Sequence, residues 1–197
     1  MRRIKLLCFF SVCILIMACG PIESGVLDTG VFNKGGTDDP RRLIDIAYNR
    51  LYKQNRIVGA RNVLKRAIER SKRTGDFYAL AVSYNMMGFT YVYKEKDPSI
   101  SEMYFGRAIE TISGGNYNCE LVHSYVGIAL SNYLKEIYHN AYVYEEKAKH
   151  MMKTIRSTYK ENPRVCEYGP YSINIAEKRV VELSEFLKCK RKRLPSL

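Results

Sequence analysis

Tryptophan is absent from the 197 residues of this chain, and histidine is scarce, with only three residues. The histidines, His123, His139 and His150, belong to neither an HExxH nor a CxxC motif, so the sequence gives no basis for a zinc site. GxGxxG and GxxxxGK[ST] are also missing, which removes the common phosphate-binding loops. Because no catalytic constellation is recognisable, the chain is predicted not to be an enzyme and to hold no metal and no cofactor.

Long apolar runs are missing too, apart from one of 12 residues at positions 6–17. This run is too short for a hydrocarbon core of ~30 Å, and the basic segment before it is typical of a cleaved signal peptide. The run leads into Ile-Met-Ala-Cys at 16–19, which resembles the lipobox of bacterial lipoproteins. The resemblance implies that residues 1–18 are removed and that Cys19 carries the lipid. An ordinary secretory signal with a coincidental cysteine is the alternative.

Residues 19–39 contain Gly, Pro, Ser, Thr and Asp without a sustained helical period, which predicts a flexible lipidated tether. Gly20 after the cysteine is similar to the pattern of outer-membrane lipoproteins and implies the periplasmic face of that membrane. Loss of residues 1–18 removes three cations and no acids. The mature chain therefore has 29 basic and 20 acidic residues, a net charge of +9.

Residues 40–187 show apolar residues at helical spacing and no convincing strand alternation, which predicts an all-α fold. Asp39 and Pro40 mark the start of the first helix, and Gly75 marks the end of the second. Asp97-Pro98 and Gly114-Gly115 separate later helices. The predicted helices span about 40–54, 58–74, 77–94, 99–112, 118–138, 140–159 and 171–187.

The helical segment repeats itself at a spacing of about 40 residues, which indicates a helical-repeat protein. In the first helix of each pair, Ile44, Tyr84 and Tyr125 correspond. In the second helix, small residues recur, and small residues let paired helices approach closely. These small residues are Ala60, Ser101 and Ala141 at one position and Ala67, Ala108 and Ala148 at another.

Residues 84–91, Tyr-Asn-Met-Met-Gly-Phe-Thr-Tyr, resemble the first helix of tetratricopeptide (TPR) repeats, and Phe105 with Ala108 match the second helix. The resemblance covers about residues 41–158. It implies an α-solenoid of about three extended TPR-like hairpins, with another helical bundle as the alternative. The third repeat departs from the pattern, since Glu145 stands where the first two have Leu64 and Phe105.

In TPR proteins the first helices usually build a concave face that binds protein segments. Asp45 stands where TPR carboxylate clamps carry a lysine, which argues against capture of a C-terminal carboxylate. Amide side chains suit an extended peptide backbone, and tyrosines add contact area at low entropic cost. The residues predicted on this face are Asn49, Tyr52, Lys53, Asn85, Phe89, Tyr93, Leu130 and Tyr133. The alternative is that the aromatic residues form the core between repeats.

The C-terminal region combines an amphipathic helix with a basic tail at 188–197. The helix carries its apolar residues on one face and is predicted to cap the array and close the domain at 187. The cations of the tail suit anionic lipid headgroups, lipopolysaccharide or an acidic envelope partner rather than nucleic acid. They are Lys188, Lys190, Arg191, Lys192 and Arg193. A solvated tail without a dedicated partner is the alternative.

Three cysteines follow the lipobox, an odd number for an oxidising compartment. Cys119 begins the fifth predicted helix, and the antiparallel sixth helix returns the chain near it in the segment that holds Cys166. Cys189 lies on the capping helix, roughly 25 Å beyond that segment. Because a disulfide needs Cα atoms within about 7 Å, Cys119–Cys166 is the favoured pair. Three free thiols are the alternative.

These features predict an outer-membrane lipoprotein with a TPR-like domain in the periplasm, acting as a protein-binding adaptor or assembly factor. Similar lipoproteins include pilotins of type IV and Tad pili and adaptors of cell-wall hydrolases. The expected partners are an envelope protein or peptide and, through the lipid, the membrane. An accessory protein or enzyme of cell-wall remodelling is the alternative. No motif selects one secretion or pilus system or an oligomeric state.

Overall fold

The computed structural model describes residues 39–113, 118–158 and 170–191, without the side chains of 118, 170–172 and 189–191. These residues form seven helices and no strand, which confirms the all-α prediction. The first and third of these helices continue directly into π-helical turns, at Asn49–Lys53 and Tyr91–Glu95. The helices are α1 (Pro40–Tyr48), α2 (Ile57–Thr74), α3 (Phe77–Thr90), α4 (Pro98–Ile112), α5 (Asn118–Leu134), α6 (Tyr138–Thr158) and α7 (Pro170–Arg191).

Local capping chemistry sets most helix boundaries. Asp39, Asp76 and Asp97 cap α1, α3 and α4, and each carboxylate accepts a backbone N–H two or three residues later, at 2.9, 3.0 and 3.1 Å. Gly75 ends α2 with a φ of 70°, a left-handed conformation that glycine adopts without strain.

The end of α5 differs from the prediction. The helix stops at Leu134, and Tyr138, predicted as its last residue, begins α6. Glu136 adopts a left-handed φ of 62°, and the N–H of Ile137 bonds back to the carbonyl of Asn132 at 2.9 Å. Glycine is the usual residue at such a position. Because a glutamate fills it here, the sequence carries no recognisable stop signal.

Each helix packs against the next one along the chain, from α1 with α2 to α6 with α7. In addition, α1 contacts α3, α3 contacts α5, and α5 contacts α7. The odd-numbered helices are therefore neighbours in one layer. Ile44, Tyr84 and Tyr125, which correspond in the first helix of each pair, lie on adjacent helices of this layer.

The small residues predicted at the helix crossings are fully buried. All six are 0% exposed: Ala60, Ala67, Ser101, Ala108, Ala141 and Ala148. The hydroxyl of Ser101 also lies 2.7 Å from that of Ser131 on α5. Glu145, which stands where the first two pairs have Leu64 and Phe105, is buried as well. Its carboxylate forms an ion pair with Lys149 at 2.6 Å.

Phe105 of α4 fills the space between α3 and α5. Its ring is 0% exposed and meets Phe89 edge-on, with 4.9 Å between centroids. Two glycines face the ring: a Cβ on Gly88 of α3 would lie 2.8 Å from it, and a Cβ on Gly127 of α5 would overlap it. Three helices therefore approach one another around a single aromatic side chain, and only glycine fits at the two facing positions.

Substitution of Gly127 tests this packing. Gly127→Ala should lower the free energy of unfolding by about 1–3 kcal/mol, because the enclosed ring has no space to move aside. The measurement is the urea midpoint of each variant. Gly106→Ala is the matched control, since it lies beside Phe105 on α4 and a Cβ there would meet nothing within 4 Å. That control should be neutral or gain up to about 1 kcal/mol from helix propensity. Equal destabilisation of both variants would contradict the packing argument.

Candidate functional site

An apolar pocket of about 70 Å³ lies where the π turn after α3 meets α5 and α7. Its rim reaches solvent at Leu134, which is 36% exposed. The predicted groove residues Tyr93, Leu130 and Tyr133 line one side. The opposite wall comes from α7 and includes Arg179, Leu183 and Phe186. Residues from three helices thus converge on one concave, mainly apolar site.

Aromatic contacts connect the pocket wall to the core. The ring of Tyr93 stacks on Phe89, with 5.6 Å between centroids and 10° between planes. Phe89 in turn contacts Phe105, at the crossing of α3, α4 and α5. On the other side, Phe186 of α7 meets Tyr133 edge-on at 4.3 Å. Offset and edge-on ring pairs contribute about 0.5–1.5 kcal/mol each beyond their buried area, so these contacts hold the pocket wall in place.

Arg179 at the edge of the pocket connects α7 to both α3 and α5. Its guanidinium carbon lies 4.4 Å from the centroid of Phe89, and its Nη1 donates a hydrogen bond to Nδ1 of His123 at 3.1 Å. Burial of the imidazole, together with the nearby positive charge of Arg179, lowers the pKa of His123 well below its usual value. The ring is therefore neutral at pH 7, which leaves Nδ1 able to accept this bond.

The structure places two of the predicted groove residues in the interior, in contrast to the prediction. Asn85 is 3% exposed; its amide donates to the backbone carbonyl of Glu120 at 3.0 Å and to its carboxylate at 2.9 Å. Ser124 donates to the Asn85 side-chain oxygen at 2.8 Å. Phe89 is 2% exposed. Both side chains join α3 to its neighbours, so neither can reach a partner while the helices stay packed.

The predicted groove residues of the first helical pair, Asn49, Tyr52 and Lys53, do not line the pocket. They lie on the π turn that follows α1. Tyr52 is half-buried and packs on Tyr48, with ring centroids 4.7 Å apart, whereas Lys53 is exposed. The eight predicted residues therefore divide into three at the pocket, two in the core and three on this turn. Of the three at the pocket, Tyr133 is itself buried, at 9% exposed, and packs in the core shared with α7.

The contribution of α7 was missing from the sequence prediction. The apolar residues of this helix were predicted to lie on one face, and Ile173, Val180 and Leu183 on that face are all buried. Arg179 and Phe186 lie seven residues apart, hence on one stripe beside that face. The signal that could have indicated this second wall of the pocket is the spacing of Arg179 and Phe186, which places a cation and an aromatic ring on the same side of the capping helix.

The described residues contain no group of three His, Cys, Asp or Glu side chains close enough to hold a metal ion. His139 and His150 lie along a shallow surface groove with Glu146 and Tyr125, away from the buried His123.

Comparison with protein-family models, curated proteins and solved structures found no match for this chain. Within the described ranges, none of the helices combines the length and apolarity needed to cross a membrane. The TPR-like arrangement therefore stays a prediction from the sequence.

Several predicted sites lie outside the described residues. These are the lipobox with Cys19, the tether up to residue 38, and Cys166. In the basic tail, Lys188 is exposed on α7, and the side chains of Lys190, Arg191, Lys192 and Arg193 fall outside the description.

Cys119 is disulfide-bonded, and its partner lies outside the described side chains. The contacts of α7 bear on the choice of partner. His123 pairs with Arg179 and Tyr133 with Phe186, so α7 runs parallel to α5. On this register Cys189 lies roughly 21 Å along the axis from Cys119, well beyond the 7 Å or so that a disulfide spans. Cys189 is thus a poor partner, and the pairing of Cys119 with Cys166 stays a prediction.

Mass mapping of the non-reduced protein should find one peptide that joins Cys119 to Cys166. Under oxidising conditions, Cys166→Ser should lower the free energy of unfolding by up to about 4 kcal/mol, the loop-entropy value for the enclosed segment. Cys189→Ser is the control and should leave stability unchanged. A peptide joining Cys189 to Cys119 would contradict both the pairing and the register of α7.

Proposed function

We propose that this chain is a lipoprotein anchored through Cys19 to the periplasmic face of the outer membrane, where its helical domain binds a protein partner. The lipobox-like segment at 16–19 and the basic, apolar leader before it support the anchor. The proposed role is that of an adaptor or assembly factor for envelope machinery. The observation that carries the binding role is the convergence of Tyr93, Leu130 and Tyr133 on one apolar pocket.

The helical domain is proposed to be an extended TPR-like solenoid. Three features support this: the layer of odd-numbered helices, the fully buried small residues at about 40-residue spacing, and the π turns at equivalent places after α1 and α3. In such an array each pair of helices contacts mainly its neighbours, and a terminal helix covers the last exposed face. The packing of α7 on α5 and α6 is consistent with that covering role.

The size of the pocket favours a protein segment over a small molecule. About 70 Å³ is far below the 300–1,000 Å³ or so of typical cofactor and substrate sites. Such a volume suits one apolar side chain. We therefore expect a partner segment with a single aliphatic or aromatic anchor residue.

Site-specific photo-crosslinking in cells tests the pocket. A photoreactive residue at Leu134, on the rim, should form an adduct with one envelope protein. The same residue at Met103 of α4 should not, although Met103 is similarly exposed, at 43% against 36%. Adding Tyr93→Ala should weaken the Leu134 adduct by removing part of the pocket wall. Equal adducts from both positions, or no effect of Tyr93→Ala, would argue against a binding site here.

Metabolic labelling tests the anchor. The chain should incorporate labelled fatty acid and partition into the detergent phase, because the lipid at Cys19 adds a large apolar surface. Cys19→Ala should abolish both properties and leave the protein soluble or unprocessed. Labelling that persists in Cys19→Ala would overturn the lipoprotein proposal without affecting the pocket.

A further inference from the structure

The positive charge of the helical domain, residues 40–187, is concentrated in its first helical pair. Residues 41–74, from α1 through α2, contain 11 of the 32 Lys and Arg but only 2 of the 20 Asp and Glu, a net charge of +9. Residues 75–187 contain 12 cations and 14 acids, a net charge of −2. The remainder of the helical domain is therefore close to neutral, and the field of the domain comes from one end.

The outward side of α2 presents this charge to solvent. Lys65, Lys72 and Arg73 are exposed, whereas Leu64 and Ala67 are fully buried against α1 and α3. Arg66 and Arg70 lie on the same outward half of the helix, and α2 contains one acidic residue, Glu69. The apolar face of α2 is occupied by the core, so only its exposed cations can meet a surface, and exposed cations are attracted to anionic lipid headgroups. We call Lys65, Arg66, Arg70, Lys72 and Arg73 the α2 basic surface.

Two other cations of the first helical pair form polar contacts with residues that follow α2. Arg41 forms an ion pair with Asp76 at 2.8 Å. Arg61 donates to the hydroxyl of Thr90 at 2.8 Å and pairs with Glu95. These contacts join the first helical pair to α3.

We infer that the α2 basic surface lies against anionic phospholipid headgroups of the membrane to which the chain is anchored. The choice of membrane rests on the proposed lipid anchor at Cys19. Twenty residues separate that cysteine from Pro40, and a chain of that length spans at most about 70 Å. A domain held so close to the membrane meets lipid headgroups at high local concentration. Lipid is preferred to nucleic acid as the anionic partner because the chain is proposed to be exported.

This orientation leaves the pocket accessible. The pocket is built from the end of α3, from α5 and from α7, and no residue of α1 or α2 lines it. Contact of α2 with headgroups would therefore fix the orientation of the domain without covering the proposed partner site. A lipid anchor alone gives no such orientation.

Vesicle binding tests the inference on the mature chain, residues 19–197, carrying Cys19→Ser, so that both the apolar leader and the lipid are absent. The chain should bind phosphatidylcholine vesicles that contain phosphatidylglycerol at low salt. It should not bind pure phosphatidylcholine, and high salt should release it. Lys65→Gln with Lys72→Gln should weaken partitioning about 25-fold, or about fivefold per cation. The matched control is Lys153→Gln with Lys178→Gln, which removes the same charge from exposed sites on α6 and α7 and should change little.

Several outcomes would overturn the inference. One is the absence of binding to the anionic vesicles. Another is an equal loss of vesicle binding in the α2 pair and in the control pair, which would show that net charge, and not the α2 basic surface, determines binding. If Lys190→Gln with Lys192→Gln abolishes vesicle binding and Lys65→Gln with Lys72→Gln has no effect, the contact belongs to the tail. Preferential binding of duplex DNA in competition would assign the surface to nucleic acid. Because the test chain has no lipid and an intact pocket, these results are independent of the anchor and the adaptor role.

Discussion

The contact of Phe105 with Gly88 and Gly127 is the constraint on which the candidate site depends. A fully buried ring between two glycines sets how closely α3, α4 and α5 approach. That approach brings the π turn after α3 beside α5, so that Tyr93 meets Leu130 and Tyr133. The stack from Phe105 through Phe89 to Tyr93 then continues from the core to the pocket wall. The contacts that hold the helix crossing together therefore also set the geometry of the pocket.

The helices could be predicted because their signals are local. Asp39, Asp76 and Asp97 begin helices through their own carboxylates, and Gly75 ends one through its own backbone freedom. The repeat of small residues also located the close crossings, since small size at fixed spacing reports directly on helix separation. The end of α5 was predicted wrongly because its signal is not local. Glu136 adopts a left-handed conformation that glutamate does not favour, so the surrounding structure imposes it.

The groove could not be predicted at the level of single residues because α3 has no polar face. Twelve of its 14 residues are buried, and a helix that is buried on all sides does not indicate which side chains point outward. Asn85 illustrates the problem. Its amide suits a peptide ligand, yet its partners are Glu120 and Ser124, which follow 35 and 39 residues later. Only the tertiary arrangement shows that this polar group is already satisfied.

The capping helix and the pocket are parts of one arrangement. α7 covers α5 and α6 with Ala176, Val180 and Leu183, and the adjacent stripe contributes Arg179 and Phe186 to the pocket. The hydrogen bond from Arg179 to neutral His123 and the ring contact of Phe186 with Tyr133 set the register of this stripe. Removal of α7 would therefore expose the core and abolish the pocket together. Stability and the proposed partner binding are separable only at solvent-facing positions of the rim, because the remaining wall residues also hold the helices together.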